Sequence, residues 1–294
     1  MIEIRAAESE AELDAWRRVR QAVLPNERLP TLAELRETPE ERLLVLAYLD
    51  GDVAGSGITA KSDTGGVFVQ PRVLPGRRGV GVGAALLRAL ADQAVATGHL
   101  DASAHVEELG SLGFATRFGF HEADRQVEQV RSIAPAEAEP EPPPGIELVP
   151  LAARPDLAAR LFDELVRDAV RDFAVDRPIE IDEESWSNQW LRDTNGCFVA
   201  LGGAEIVGIA GFERDPDRPD RAENALTAVR RDHRRRGIAR ALKQAVIVLA
   251  AQEGIAELYT WTQQRNVSMR SLNRSLGYID RDVSITVRGL LPLP

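Results

Sequence analysis

The sequence predicts an alternating α/β fold built twice in one chain, and three observations carry that expectation. A glycine- and arginine-rich turn occurs in two copies: Val73-Leu74-Pro75-Gly76-Arg77-Arg78-Gly79-Val80-Gly81-Val82-Gly83 and Val229-Arg230-Arg231-Asp232-His233-Arg234-Arg235-Arg236-Gly237-Ile238-Ala239-Arg240. Both fit Arg-x-x-Gly-x-Gly/Ala, with Arg78, Gly81 and Gly83 spaced as are Arg234, Gly237 and Ala239. The offset between the copies also persists downstream. The arginines lie 156 positions apart and the pairs Gly119-Phe120 and Gly277-Tyr278 lie 158 apart, while Arg78 to Gly98 and Arg234 to Gly254 are each 20 positions. Finally, strand-like and helix-like segments follow the same order on both sides of a proline- and glutamate-rich stretch, which is duplication of a whole unit.

A chain of 294 residues has length for one large or two ordinary domains and ample material for a core. With 44% hydrophobic and 28% charged residues it reads as globular. No apolar run approaches the roughly 18 residues of a membrane span, and the N-terminus lacks a basic-then-apolar leader, so a cytoplasmic location is expected, with no membrane partner. The formal charge of -10 divides evenly, about -5 in each half, which argues against a nucleic-acid partner and leaves the arginine cluster as a local exception. The single cysteine, Cys197, excludes an internal disulfide, and His99, His105, His121 and His233 show no metal-ligand spacing with it. No metal is expected.

Taken in order, Ile2 to Arg5 alternate as a short strand, and Ser9 with Glu12 forms a capping-box signature ahead of a helix through Trp16 and Val19. Pro25 and Pro30 break it, and a second helix fits Thr31 to Arg36. Leu43 to Tyr48 reads as a buried strand, and Asp50-Gly51-Asp52 turns it into a hairpin with Val53 to Ala60. Gly66 to Val73 feeds the first glycine turn, and Leu86, Leu87, Leu90 and Ala94 give the next helix one apolar face until Gly98. A strand near Leu100 to Val106, a helix around Ser111 to Arg117 and a strand from Gly119-Phe120 to Val130 complete the first half.

Ala134 to Gly145 has no apolar periodicity and reads as an extended, semi-rigid linker. The domains expected are therefore 1–133 and 146–294, joined by 134–145. The second half repeats the order: strand Ile146 to Val149, helix Asp156 to Val170, a loop with Pro178, helix Asp182 to Leu191, strand Phe198 to Leu201 and strand Ile206 to Phe212. An irregular excursion over Arg214 to Arg221 precedes strand Glu223 to Val229. Ile238, Leu242, Ala245, Val248 and Leu249 share a helical face, and strand Leu258 to Thr262, helix Asn266 to Leu276 and strand Tyr278 to Val287 finish the chain.

The repeated turn points to phosphate chemistry. A helix start leaves its first N–H groups without partners and carries the positive end of the macrodipole, so Arg234 to Arg240 can cradle a pyrophosphate, with Gly237 and Ala239 letting the backbone come close. A solvated basic patch is the plain alternative. Gly79-x-Gly81-x-x-Ala84 with Asp101 also fits a dinucleotide fingerprint, but it lies in mid-domain and its copy at Gly237 lacks the glycines.

These residues resemble the GNAT superfamily of acetyl-CoA-dependent N-acetyltransferases, twice over. The resemblance implies two tandem GNAT-fold domains in the α/β (α+β) class, each a mixed, centrally splayed β-sheet flanked by helices, with acetyl-CoA in the cleft. It implies cofactor contacts from Val229, Arg234, Arg235, Arg236, Gly237, Ile238, Ala239 and Arg240, and from Arg78, Gly79, Gly81 and Gly83 in the first copy. The segment Asn266-x-x-Met269-x-x-Leu272-Asn273-x-x-Leu276-Gly277-Tyr278 is similar to the family's N-x-x-A-x-x-x-Y-x-x-x-G-F run, whose asparagine helps to hold the pantetheine arm. Asn273, counted with Asn266 among the implied cofactor contacts, occupies the place where many members have a proton-donating tyrosine, which leaves Tyr278 or water as candidates for that task. Glu223, 11 positions before Arg234, stands at the separation of a general-base carboxylate in the histone-acetylating branch. The first half departs further, with Glu108 for Asn266, Ala115 for Asn273 and Val67 for Glu223, and is expected to be degenerate.

The expected activity is acetyl transfer to a primary amine of a small molecule or peptide by direct attack, with the backbone at Val229 polarising the thioester carbonyl. A non-catalytic acyl-CoA-binding or scaffolding protein is the alternative. Asp172, Asp176, Glu180, Asp182, Glu183 and Glu184 crowd the segment that borders the acceptor in the family and suggest a cationic acceptor, beside the plain reading of a solvated acidic loop. Trp186 and Trp190, one helical turn apart, read as packing, His233 as an exposed turn residue, and Cys197 as a small buried residue without an activating base.

Overall fold

The computed structural model describes residues 1–36, 42–62, 66–107, 109–173, 181–186 and 193–294. Glu108, Asp176, Pro178, Glu180, Trp190 and Leu191 lie outside them. The described chain forms two compact units, residues 1–124 with 284–294 and residues 125–283. These are not the contiguous halves expected from the sequence. Each unit takes its last strand from the other half of the chain.

In unit 1, strand β1 (Ile2–Ala6) leads to helix α1 (Glu10–Val23), whose Ser9 cap and Glu12 side chain form the expected reciprocal box. Helix α2 (Leu32–Arg36) precedes the meander β2 (Leu43–Leu49), β3 (Asp52–Lys61) and β4 (Val67–Val73), all antiparallel. Helix α3 (Val82–Ala96) then returns the chain to β5 (Asp101–Val106), and α4 (Leu109–Arg117) follows. Strand β5 pairs with β4 in parallel over only Val67–Phe68 and Ala102–Ser103. Its other edge takes residues Ile285 to Leu290 of the chain-terminal strand β12 (Ile279–Leu290). Leu86, Leu87, Leu90 and Ala94 of α3 pack on Val67, Val69, Ala102 and Ala104 of the sheet, as the periodicity of α3 predicts.

Unit 2 repeats this plan. Strand β6 (His121–Ser132) gives residues Gln126 to Ser132 to its sheet edge, and the linker follows. The linker has no regular structure but is anchored: Glu137 accepts from the Ala134 N–H at 3.0 Å and pairs with Arg131, and Gln244 donates to the Ala138 carbonyl at 2.8 Å. Strand β7 (Glu147–Pro150) leads to a long helical run, α5 (Pro155–Leu161), a π-helical turn (Phe162–Val166) and α6 (Arg167–Phe173). The sequence suggested one regular helix here. The wider turn accommodates adjacent apolar pairs, Leu161-Phe162 and Leu165-Val166, that are all buried.

A single turn, α7 (Glu183–Ser185), is capped by Asp182, and β8 (Cys197–Gly202), β9 (Glu205–Asp215) and β10 (Arg218–Val229) continue the sheet. The expected excursion over Arg214 to Arg221 is instead the end of a β9–β10 hairpin, its turn pinned by the Asp217 N–H donating to the Asp215 carboxylate at 3.0 Å. Helix α8 (Ile238–Gln252), β11 (Glu257–Gln263) and α9 (Val267–Ser275) complete the unit. The buried face of α8 is wider than the sequence suggested. It includes Lys243, Val246, Ile247 and Ala250, while Val248 and Leu249 sit at its margin. Trp186 is 1% exposed in the cluster under α5 and α6, so it packs as expected.

Candidate active site

Both units present the same cleft. Among the described residues, parallel pairing of β10 and β11 covers Arg221 to Glu223 against Glu257 to Tyr259, and no register joins the two strands beyond it. On its other side β10 stays paired with β9 to the turn, where the Arg230 N–H donates to the Val207 carbonyl at 3.0 Å. Antiparallel bonding alternates along a strand. With Arg230 bonded to β9, the amides of Val229 and Thr227 face the open side. By the same count, from the Leu74 N–H donating to the Ala54 carbonyl, Val73 and Pro71 face the cleft in unit 1. The splayed sheet is thus a direct product of two short parallel ladders.

The turn at the cleft mouth is built alike in both units. Arg234 donates through Nε to the Val229 carbonyl at 2.9 Å, and Arg78 to the Val73 carbonyl at 3.2 Å. The backbone then alternates through left-handed residues: Arg235 (φ 59°) and Gly237 (φ 86°), matched by Gly79 (φ 78°) and Gly81 (φ 95°). A left-handed conformation costs a non-glycine residue about 1 kcal/mol or more, so Arg235 carries local strain at this turn. Such alternation curls successive N–H groups into an anion-binding concavity. Neither α3 nor α8 has a side-chain cap, so the amides of its first turn remain available. A Cβ on Gly237 would meet only Pro143, at 3.5 Å, which is ordinary contact and leaves the concavity open. The donor set therefore fits a pyrophosphate.

The predicted contacts divide into those at the cleft mouth and those beneath it. Arg235, Arg236, Gly237 and Arg240 are exposed, and Arg240 donates to Ser275 Oγ at 2.6 Å, tying the start of α8 to the end of α9. Ile238 anchors that start in the core, 1% exposed, and offers only its backbone, while Ala239 is half-buried. In unit 1 Gly83 lies against Phe114, whose ring a Cβ would meet at 3.5 Å. Asn266 caps α9, its side chain accepting from the Met269 N–H at 3.1 Å, and is exposed. His233 is half-buried rather than exposed, with Nδ1 3.0 Å from Arg236 Nη1.

Two residues are elsewhere than the sequence reading placed them. Asn273 is fully buried, with Nδ2 donating to Gln129 Oε1 at 2.9 Å and to Thr262 Oγ1 at 3.3 Å, so it fastens α9 to β6 and β11. Tyr278 is 2% exposed within the apolar cluster beneath α8, and its hydroxyl has no hydrogen-bond partner among the described residues. Burial raises its pKa, and a phenol enclosed in the core has no path to a leaving group.

Glu223 is half-buried on the wall of the cleft, where the Tyr259 hydroxyl donates to its Oε2 at 3.3 Å. Burial first, and then the Glu223 charge, raise the Tyr259 pKa, which keeps the phenol protonated and a donor. Arg221 stacks on the Tyr259 ring at 3.8 Å and pairs with Glu257 and Glu128, at 2.7 and 3.0 Å. Tyr259 was not singled out in the sequence, because only the parallel register of β10 and β11 brings it opposite Glu223.

The first-half counterpart of Glu223 also changes. Strand β10 shifts register against β9 between Glu223 and Leu226, so Asn224 and Ala225 together oppose Phe212, whereas β4 runs regularly against β3. Counted along the ladders, Phe68 and not Val67 stands where Glu223 stands, and Val69 alone occupies the place of Asn224 and Ala225.

The clefts differ inside. In unit 1 the Gln70 carboxamide accepts from the His105 N–H at 2.7 Å and donates to the His105 carbonyl at 2.8 Å, pairing with the inner edge of β5. Arg72 makes a fork with Glu107 at 2.7 and 2.8 Å, and Pro71 has no N–H to offer. Unit 2 has Leu226, Thr227 and Ala228 at these three places, and they form no such bridge to any described residue.

The acidic segment is partly consumed. Asp172 of α6 accepts from Arg231 at 2.6 Å and pairs with Arg234; desolvation opposes its ionisation, but these bonds prevail and its pKa is lowered. Burial, and secondarily Asp193, push the Cys197 thiol up to about 12, so it is no nucleophile near neutral pH.

Behind the bulge lies Lys243, 1% exposed, which donates to Asn224 Oδ1 and sits 5.2 Å from the Tyr278 ring centroid. Burial alone lowers its pKa to about 7, against about 10.4 in an unfolded chain. The folded state then binds fewer protons than the unfolded state between these values, so stability rises with pH across that window and falls as pH drops toward 7. Urea unfolding at pH 7.5 and 9.5 should show wild type gaining on Lys243→Met by about 1 kcal/mol per pH unit. Parallel behaviour of the two proteins would refute a neutralised Lys243.

The model of the acetyltransferase (GNAT) family matches residues 6–120 and again 161–278, and the chain belongs to that family, as a tandem N-acetyltransferase. Its doubled layout is similar to that of mycothiol synthase. A curated relative, mycothiol acetyltransferase of Nocardia farcinica (strain IFM 10152), is 28% identical over 258 residues, 82% of this chain and 80% of its own. Two solved structures share the fold. A GCN5-related N-acetyltransferase from Sphaerobacter thermophilus has a TM-score of 0.77 at 19% identity over 98% of this chain and 95% of its own. A tandem GNAT protein from the clavulanic acid biosynthesis pathway has a TM-score of 0.76 at 20% identity over 99% and 98%. Among the described residues no helix is long and apolar enough to cross a membrane, and no group of three His, Cys, Asp or Glu side chains is gathered as for a metal ion.

Proposed function

We propose that unit 2 transfers an acetyl group from acetyl-CoA to a primary amine of a small molecule or peptide, by direct attack. The observation that carries this reading is the meeting, at one open ladder, of an uncapped anion-binding turn, two cleft-facing amides and a carboxylate. Acetyl-CoA supplies an activated acyl thioester. The backbone from Arg235 to Arg240 would hold its pyrophosphate, with Arg234 fixed beneath by the Val229 carbonyl. The Thr227 and Val229 N–H groups would favour a developing oxyanion, and being part of a strand they would need no reorganisation to do so.

Glu223 takes the proton that an ammonium acceptor must lose before it can attack, and Tyr259 holds that carboxylate in place. An acyl-cysteine route is disfavoured by the buried, high-pKa Cys197. For unit 1 a non-catalytic reading is favoured, because Gln70 and Arg72 bridge its cleft and Pro71 removes one amide. The whole chain incubated with acetyl-CoA and a panel of primary amines should release free thiol with at least one of them. Release no faster than without amine, across chemically diverse acceptors, would reject the proposal.

A further inference from the structure

The β10 bulge is held from inside the core by polar groups that the fold itself does not need. Asn224 is fixed on three sides: its Nδ2 donates to the Gly211 carbonyl at 2.7 Å, its Oδ1 accepts from Lys243, and its carbonyl accepts from Thr260 Oγ1 at 3.0 Å. All three residues are buried, at 2%, 1% and 7% exposure. Burying an amine, an amide and a hydroxyl is costly unless each is hydrogen-bonded, so the three depend on one another here.

Unit 1 shows the same architecture without them. At the matching places it has Leu87 for Lys243, Ala104 for Thr260 and Val69 for the Asn224-Ala225 pair, all within one apolar cluster. Its strand β4 has no bulge. Within one chain, therefore, the polar trio and the bulge occur together or not at all.

The bulge decides where Glu223 points. Ala222 lies in the cluster beneath α8 and Asn224 reaches Lys243 of α8, whereas Leu226 and Ala228 lie in the cluster on the opposite face. Glu223 meets Tyr259, away from α8, on the face of Leu226. Three positions separate Glu223 from Leu226, and in a regular strand that odd count would put them on opposite faces. Only the extra residue of the bulge lets both occupy the cleft side.

We propose that Lys243, with Asn224 and Thr260, is a positioning residue of the acetyl-transfer site: it locks the β10 bulge and thereby keeps the Glu223 carboxylate in the cleft rather than under α8. The inference rests on the reading of Glu223 as general base. Lys243 reaches no reacting atom and acts through Asn224 alone. Its place in the core also separates its effect from cofactor binding, which the backbone turn outside the bulge would provide.

The test copies the residues of unit 1 into the whole protein, as Lys243→Leu with Asn224→Val and Thr260→Ala. Expected is a fall in kcat of about 10²-fold or more, the lower end for loss of a general base, with acetyl-CoA affinity within about threefold of wild type. The loss should shrink at high pH, and adding Glu223→Gln to the triple variant should lower kcat little further, since both remove the same contribution. Lys243→Met alone, which keeps the length of the side chain, should show the same split in weaker form and serves if the triple variant does not fold. A triple or Lys243→Met variant with wild-type kcat, beside an impaired Glu223→Gln, overturns this inference and leaves the base intact. Unimpaired turnover in Glu223→Gln removes the base itself, and with it the inference. Full additivity of the triple variant and Glu223→Gln also overturns it.

Discussion

Replacing Glu223 by Gln should lower kcat by about 10² to 10⁴, with acetyl-CoA affinity little changed. The side chains are nearly isosteric, and an amide can still accept the hydrogen bond that Tyr259 makes to Oε2 at 3.3 Å. What is lost is the capacity to take a proton. Because a primary amine deprotonates unaided as pH rises, the deficit should narrow at alkaline pH, which a structural defect would not do. Steady-state kinetics at pH 7 and 9, with chemistry shown to limit the rate, would decide it. A near-normal kcat at neutral pH would remove Glu223 from the mechanism.

The second large effect separates the two turns. Gly237→Glu should abolish acetyl-CoA turnover, while Gly81→Glu should leave most of it. Both glycines are left-handed, at 86° and 95°, so a side chain strains the backbone equally in each. A carboxylate would also set a negative charge where the amides of α8 or α3 converge. The difference lies in the clefts behind the turns. Strand β4 sends Gln70 and Arg72 across to β5 and lacks an N–H at Pro71, whereas β10 keeps Thr227 and Val229 open to solvent-borne ligands. Equal losses from the two substitutions, in proteins of unchanged circular dichroism, would contradict the assignment of catalysis to unit 2.

Periodicity alone recovered most of the strands and helices, because each carries an apolar face that only one period satisfies. The turn at Arg234 was equally legible, since its geometry needs small residues at fixed places and the chain states them twice. Long-range features were not. Tyr259 is 36 positions from Glu223 and becomes its neighbour only through a parallel register. The bulge adds one residue to β10 and so shifted the match of Glu223 from Phe68 to Val67. Asn273 and Tyr278 lie in a segment similar to the family pattern, yet their roles depend on burial, which local sequence does not reveal. Lys243 lies outside the apolar periodicity of α8 and is among the most enclosed residues of that helix.

The exchange of terminal strands bears on how such a chain can be divided. A cut at the linker looks natural from the sequence, but a fragment of residues 145–294 would leave β11 with a bare edge where β6 belongs, and Arg221 without the Glu128 carboxylate. The same fragment would carry residues Ile285 to Leu290 with no β5 to pair against. An unpaired apolar edge and an orphaned strand are the ingredients of intermolecular pairing. Two such fragments mixed in one tube could each supply what the other lacks, so the gene can be split at the linker only if both pieces are made together.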